Sequence, residues 1–206
     1  MHNFAGYPND GAYGRGGLLL DSKGNLYGTT VIGGAHDDGV VFKLNKAGKE
    51  TILYSFAGSQ NGDGAYPVAG LIQDAAGNFY GTTNQGGSSS CSCGVVFKLS
   101  KAAKETVLHS FTGGSDGGYL SERLYRDQKG ILYGTTNSGG SGYGVVFKID
   151  THNKETVLYS FTGGADGAVS TSRLVPGKSG YLYGTTFQGG SSSCSNGCGT
   201  IFKIKP

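Results

Sequence analysis

The chain has 206 residues, 40 of them glycine, with 13 Tyr, 10 Phe and a formal charge of +3. Glycine at this level lies far above the usual share of about 7%, but no Gly-X-Y period runs through it, which excludes collagen, and the aromatic residues supply too much apolar surface for a disordered Gly/Ser linker. Lys and Arg are dispersed, so no nucleic-acid partner is expected; no apolar stretch approaches the ~18 residues of a membrane span; and the opening "MHNFAGYPND" contains no apolar signal-peptide core.

Along the chain the first predicted element is "GLLLD", residues 17–21, a short strand. The turn "DSKGN" follows, with Asp21 at its start and Gly24 three residues later. That pattern suits a type I turn followed by a left-handed residue, as in three-residue hairpins. The second strand is carried by "NLYGTT" from Asn25, the third by "GVVFKL" from Gly39 and the fourth by "KETILYSF" from Lys49. β-Branched and aromatic residues dominate these three, and turn residues separate them. Val40, Phe42 and Leu44 take one face and Val41 the other, so both faces of such a sheet require cover.

The pattern then restarts. The YGTT tyrosines are Tyr27, Tyr80, Tyr133 and Tyr183, spaced by 53, 53 and 50 residues, and an upstream Asp-Gly keeps step at Asp10, Asp63, Asp116 and Asp166. First strands recur around Leu71, Leu124 and Leu174; "GVVFKL" recurs at Gly94 and Gly144, then "GTIFKI" at Gly199; "KETVLHSF" and "KETVLYSF" begin at Lys104 and Lys154. In the fourth copy Gly177 replaces the turn Asp of the others, predicting a turn with a weaker cap. Four strands in about 50 residues, apolar on both faces, describe a propeller blade, which stacks against a neighbour on each side.

The fold class expected is therefore all-β: one β-propeller over residues 1–206, with four blades of four antiparallel strands in repeats 4–55, 56–110, 111–160 and 161–206. The fourth copy ends at "TIFKIKP" without a KETVLYSF strand, and "HNF" at the start of the chain matches the "HSF" of His109 to Phe111. Residues 1–4 are thus expected to supply the outer strand of the last blade and close the ring; a segment of a longer array is the competing reading. Within YGTT the Tyr is expected to pack between blades, the Gly to admit a close neighbour and the Thr pair to bond across the strand, so the hexapeptide reads as scaffold.

The motifs "GLIQDAAGNFYGTTNQGG", "GVVFKL" and "KETVLYSFTGG", recurring in order through all four copies, resemble the GloVer tandem repeat of bacterial surface and secreted proteins. The "D-x-x-G-N-L-Y-G-T" core is also similar to propeller repeats in the sensor domains of two-component regulators. The resemblance implies an extracytoplasmic β-propeller and no particular activity. Members of that family carry C-terminal anchor signals, and none is recognisable here.

Four cysteines fall in two equivalent loops, "SSSCSCG" with Cys91 and Cys93, and "SSSCSNGCG" with Cys194 and Cys198. Local disulfides are favoured over a four-thiolate metal site, which would need both loops to meet. A Cys-x-Cys ring is the tighter of the two, and disulfides point to an oxidising compartment, secreted or at the cell surface.

The loops joining blades, and those joining second to third strands, are rich in Asp, Asn, Ser, Gly and Tyr, which combine hydrogen bonds with flat rings and suit sugars. Candidate ligand-binding residues are Asp10, Tyr13, Asp63, Tyr66, Asp116, Tyr119 and Asp166; the fourth copy has Val169 at the tyrosine position. The alternative for the tyrosines is packing against the next blade. The four Asp could form a ring holding Ca²⁺, the one cofactor considered; the alternative is an Asx-turn in each loop. No nucleophile elbow, phosphate loop or zinc-protease helix occurs. Asymmetric polar groups are His36, Asp37 and Asp38, and Glu122 and Arg123 with Tyr119 and Arg173, which an enzyme acting on an acidic polysaccharide could use. Glu50, Glu105 and Glu155 read as turn residues on the opposite rim. The function expected is non-catalytic binding of a polysaccharide or glycan at repeated weak sites. Self-association through the incomplete edge of the last blade is the alternative, and polysaccharide cleavage the third.

Overall fold

A computed structural model of the chain describes residues 2–59, 62–87 and 90–206; Met1, Gln60, Asn61, Ser88 and Ser89 lie outside that description. The protein is all-β and almost without helix, and its main sheets follow one another along the chain. Each repeat contributes a second strand (Leu26–Gly33, Phe79–Thr82, Leu132–Thr135, Leu182–Thr185) paired antiparallel with a third (Val40–Leu44, Val95–Leu99, Val145–Ile149, Ile201–Ile204). The first strands are only two residues long: Leu19–Leu20, Ile72–Gln73, Tyr125–Arg126 and Val175–Pro176. Fourth strands Glu50–Ser55, Glu105–Ser110 and Glu155–Ser160 complete the first three sheets, each with a bulge opposite the Val-Phe step of the third strand.

The YGTT motif explains its own recurrence. Tyr27, Tyr80 and Tyr133 donate their hydroxyls to the turn aspartates Asp21, Asp74 and Asp127, tying the second strand to the hairpin before it. A Cβ on Gly28, Gly81, Gly134 or Gly184 would lie 2.4–2.7 Å from the Phe ring of the neighbouring third strand, so only glycine admits that ring. The first Thr reaches the next repeat: Thr29, Thr82 and Thr135 donate to the carbonyls of Ala69, Glu122 and Ser170. The second Thr accepts the amide that opens the third strand, at Val95, Val145 and Thr200. In the fourth repeat Gly177 cannot accept the tyrosine hydroxyl; its turn is closed by the Gly177 amide on the Tyr181 carbonyl, and Tyr183 is exposed.

The core lies between successive sheets. Tyr27, Val41 and Phe56 pack with Leu71, Phe79 and Phe97; Tyr80, Val96 and Phe111 with Leu124, Leu132 and Phe147; Tyr133, Val146 and Phe161 with Leu174 and Leu182. At each junction a Phe ending one fourth strand meets the next third strand edge-to-face, Phe56 on Phe97, Phe111 on Phe147 and Phe161 on Phe202, at 5.0–5.1 Å. Phe4 takes the same seat on Phe42 at 5.1 Å.

The expected closure through residues 1–4 is not seen among the described residues, and Met1 lies outside them. Residues 2–6 make no strand, and Ile201–Ile204 pairs only with Leu182–Thr185 among the described residues. His2 to Phe4 do sit against the first sheet, as the end of a fourth strand sits against the sheet that follows it, but they are not paired with the edge of the fourth sheet.

Candidate functional site

Every Asp-Gly carboxylate is turned into its own loop. Asp63 accepts the Ala57 and Gly64 amides and the Tyr54 hydroxyl; Asp116 accepts the Thr112 amide and faces His109 at 3.2 Å; Asp166 accepts the Thr162 amide and the Tyr159 hydroxyl; Asp10 accepts the Ala5 and Gly11 amides and lies 3.3 Å from His2. The four do not gather into a ring. Among the described residues the one close group of three metal-ligating side chains is His2, Asp10 and Glu50; each Asp-Gly carboxylate instead accepts an amide four to six residues before it, and Asp10 and Asp63 also the one just after, so it ties its own loop together without the i to i+2 bond of the Asx-turn that the sequence suggested.

These junctions also hold three acids that the sequence reading placed on the other rim. Glu50, Glu105 and Glu155 turn inward, each with a buried Oε1 that lacks a hydrogen-bond partner. Burial first, and then the negative charge of Asp10, Asp63 or Asp116, pushes each of these carboxyls up to about 7. Burial also works to raise Asp10, but its hydrogen bonds with Ala5, Glu50 and Gly11 and the charge of His2 outweigh it and leave that carboxyl below its ordinary value. The signal was present in the sequence: a Tyr or His two residues before each Phe, and a Glu opening each fourth strand.

Tyr13, Tyr66 and Tyr119, with Val169, all adopt the left-handed backbone region, at φ 53–57°. A side chain there is strained unless its surroundings fix it. The fixing bonds come from neighbouring loops: the amides of Tyr66, Tyr119 and Val169 donate to the carbonyls of Asp38, Cys93 and Tyr143. Tyr13 and Tyr119 are exposed and Tyr66 is half-buried. Tyr66 lines a polar cleft of about 660 Å³ between the first and second repeats, together with Tyr7, His36, Asp37, Asp38 and Ser92. Burial raises the Asp38 carboxyl, opposed by His36 and reinforced by Asp37 and Asp63.

A second cavity of about 570 Å³ is lined by segments of all four repeats, among them Arg15, Asn84, Glu122, Arg123, Asn137 and Thr171. It unites Glu122 and Arg123, but Tyr119 does not line it. Burial raises the Glu122 carboxyl against the pull of Arg15; burial and the nearby Arg173 lower Arg123. Glu122 is the one carboxylate among the described lining residues.

Cys91–Cys93 and Cys194–Cys198 are disulfide-bonded, and no described cysteine is free. No helix among the described residues is long and apolar enough to cross a membrane.

Successive antiparallel sheets packed face to face, with clefts among the loops that join them, define a propeller-like repeat protein. The family model of the Gloeobacter/Verrucomicrobia repeat matches residues 1–202, and the chain belongs to that family. Comparison with curated protein sequences finds no match. Among solved structures the chain is similar to selenomethionine-substituted virginiamycin B lyase from Staphylococcus aureus, with TM-score 0.60 and 15% identity over 97% of this chain and 58% of the lyase. It is similar to a streptogramin B lyase, with TM-score 0.58 and 14% identity over 95% of this chain and 56% of that one. A gluconolactonase from Xanthomonas campestris gives TM-score 0.55 and 14% identity, over 100% of this chain and 61% of that one. At these identities the likeness concerns the fold, and the chain spans less than two thirds of each of these proteins.

Proposed function

We propose that the protein is an extracytoplasmic, four-bladed propeller segment that binds carbohydrate without catalysis, at repeated sites on its loop face. The observation that carries the reading is the cleft at Tyr66. It sets two tyrosine rings beside His36, Asp37, Asp38 and Ser92, a stacking surface next to hydrogen-bonding groups. The same left-handed position carries Tyr13 and Tyr119, so related sites would repeat around the loop face. The Asp residues support the loops and the tyrosines contact the ligand. The two disulfides support an oxidising compartment.

Each site is small, so single-site affinity is weak, and several sites on one rigid body gain avidity of roughly 10²–10⁴-fold on a polymer. A glycan array tests this. Saturable, sugar-selective retention, stronger for polysaccharide than for its monosaccharide, supports the reading; absence of selective retention contradicts it.

A second reading is favoured by the Glu122 cavity. Arg15 and Arg123 could hold an acidic polysaccharide there while Glu122 moves a proton. A glycosidase normally uses two carboxylates, and this cavity offers one, so cleavage ranks below binding. Release of reducing ends or unsaturated uronates from acidic polysaccharide would reverse that order.

A further inference from the structure

Each Asp-Gly carboxylate is faced by the side chain two residues before a Phe of the edge-to-face series. For three of the four that contact is a hydrogen bond. Tyr54 donates its hydroxyl to Asp63 at 2.8 Å and Tyr159 to Asp166 at 2.9 Å, and His109 Nε2 bonds Asp116 at 3.2 Å. His2 is the exception. Its Nε2 lies 3.3 Å from Asp10 Oδ2 and 3.3 Å from Glu50 Oε2, yet this buried nitrogen makes a hydrogen bond to neither. The Glu50 side chain is only 10% exposed; it turns Oε2 toward the same nitrogen and leaves Oε1 without a partner.

We propose that His2, Asp10 and Glu50 form a binding site for a divalent transition cation of the zinc type. An imidazole nitrogen with two carboxylate oxygens is a donor set that suits such an ion, whereas Ca²⁺ takes about six to eight oxygens. The spacing fits. With metal–ligand distances of about 2.0–2.2 Å, ligand atoms at the corners of a tetrahedron stand about 3.3–3.6 Å apart. The His2 nitrogen stands 3.3 Å from each carboxylate oxygen, and the three ligand atoms all lie within 4.8 Å of one another.

The surrounding groups hold the ligands in place. The Ala5 amide donates to Asp10 Oδ2 and the Gly11 amide to Oδ1, each at 2.6 Å. The carboxylate is thereby oriented, and Oδ2 keeps a lone pair for the ion. The His2 ring meets Phe4 edge-to-face at 5.1 Å, and Phe4 in turn rests on Phe42. The three ligands come from three separate stretches: the segment before the first loop, the loop itself, and the start of the strand Glu50–Ser55. An ion there ties these stretches together and leaves a fourth position to water. The site does not recur in the next two repeats. A tyrosine replaces the imidazole at Asp63, and His109, Asp116 and Glu155 make no group as close among the described residues. The inference is independent of carbohydrate binding, since it uses neither the Tyr66 cleft nor the Glu122 cavity.

Titration calorimetry of the untagged, chelator-treated chain with zinc chloride provides the test, with calcium chloride as the comparison. Wild type should bind a single zinc ion with a Kd in the micromolar range or tighter, and calcium about tenfold or more weakly. His2→Ala and Glu50→Gln should each weaken zinc binding about tenfold or more, while His109→Ala should leave it unchanged. Zinc at about a hundredfold excess over Kd should raise the wild-type melting temperature by roughly 5–10 °C and leave that of Glu50→Gln unmoved. Glu50→Gln keeps the size of the side chain, and its melt in chelator establishes that it is folded; His2→Ala provides the same reading should it not be. A wild type that binds no zinc overturns the proposal. So does zinc binding that survives Glu50→Gln, which would place the ion on the start of the chain rather than between the three residues, or calcium binding tighter than zinc.

Discussion

Glu105→Gln should remove a pH dependence that the folded chain builds into its second repeat. Glu105 faces Asp63 and Tyr54, and Asp63 is the only charged group that shifts it, so it is the cleanest of the three acids to read. Burial, then the Asp63 charge, lifts its carboxyl from 4.5 to about 7. Folding thus raises the pKa, and the folded state holds the proton more tightly than the unfolded chain. The stability linked to the protonated acid is complete below about pH 4.5 and is lost as pH rises through about 7. At about 1.4 kcal/mol per pH unit the bare ceiling is ~3.4 kcal/mol; the carboxylate keeps some contact with water, which reduces the effect to about 1 kcal/mol. For a chain of this size that is a melting-temperature change of roughly 2–4 °C. Circular dichroism melts at constant ionic strength between pH 5 and pH 8 provide the assay. Wild type should lose several degrees over that range, since Glu50 and Glu155 add to the effect, and Glu105→Gln should lose about 2–4 °C less. Equal slopes for the two proteins would refute the reasoning.

Gly81→Ala should destabilise the fold by about 1–3 kcal/mol, because its Cβ would lie 2.6 Å from the Phe97 ring; Gly17→Ala, with nothing within 4 Å, should be near neutral in the same melts. Reduction of both disulfides should lower the melting temperature only slightly, because the bridges span 2 and 4 residues and remove little chain entropy; a large loss on adding reductant would show that they hold more than their own loops. Asp63→Ala leaves the Ala57 and Gly64 amides and the Tyr54 hydroxyl without their acceptor and should cost about 2–4 kcal/mol in chemical unfolding.

The repeat, the strand order and the hairpin turns were legible because they depend on local chemistry. Asp21 and Gly24 close their turn as their spacing implies, with the Asp21 carbonyl accepting the Gly24 amide and the Asp21 carboxylate accepting the Lys23 and Asn25 amides. Two features were not legible. Glu50, Glu105 and Glu155 open their strands at positions that resemble turn residues, but their inward rotamers are set by loops more than 30 residues away in sequence. Ring closure is the second: "HNF" was correctly matched to the end of a fourth strand, and Phe4 takes that seat on Phe42, but pairing with the edge of Ile201–Ile204 depends on where the fourth sheet lies relative to the first, which no local pattern encodes. For the candidate site, the tyrosine positions could be found from their register after Asp-Gly. Their shared left-handed backbone, and the cleft that only Tyr66 among them lines, emerge from contacts between repeats.

The measurement that tests the central claim most directly is titration calorimetry of a short oligosaccharide, chosen from the sugars retained on the array, against wild type and a folded Tyr13→Ala, Tyr66→Ala, Tyr119→Ala variant. The account predicts weak, multi-site binding to wild type and loss of that heat in the triple variant, with its melting temperature within a few degrees of wild type. Equal binding by a folded triple variant would contradict it and leave the tyrosines with a packing role alone.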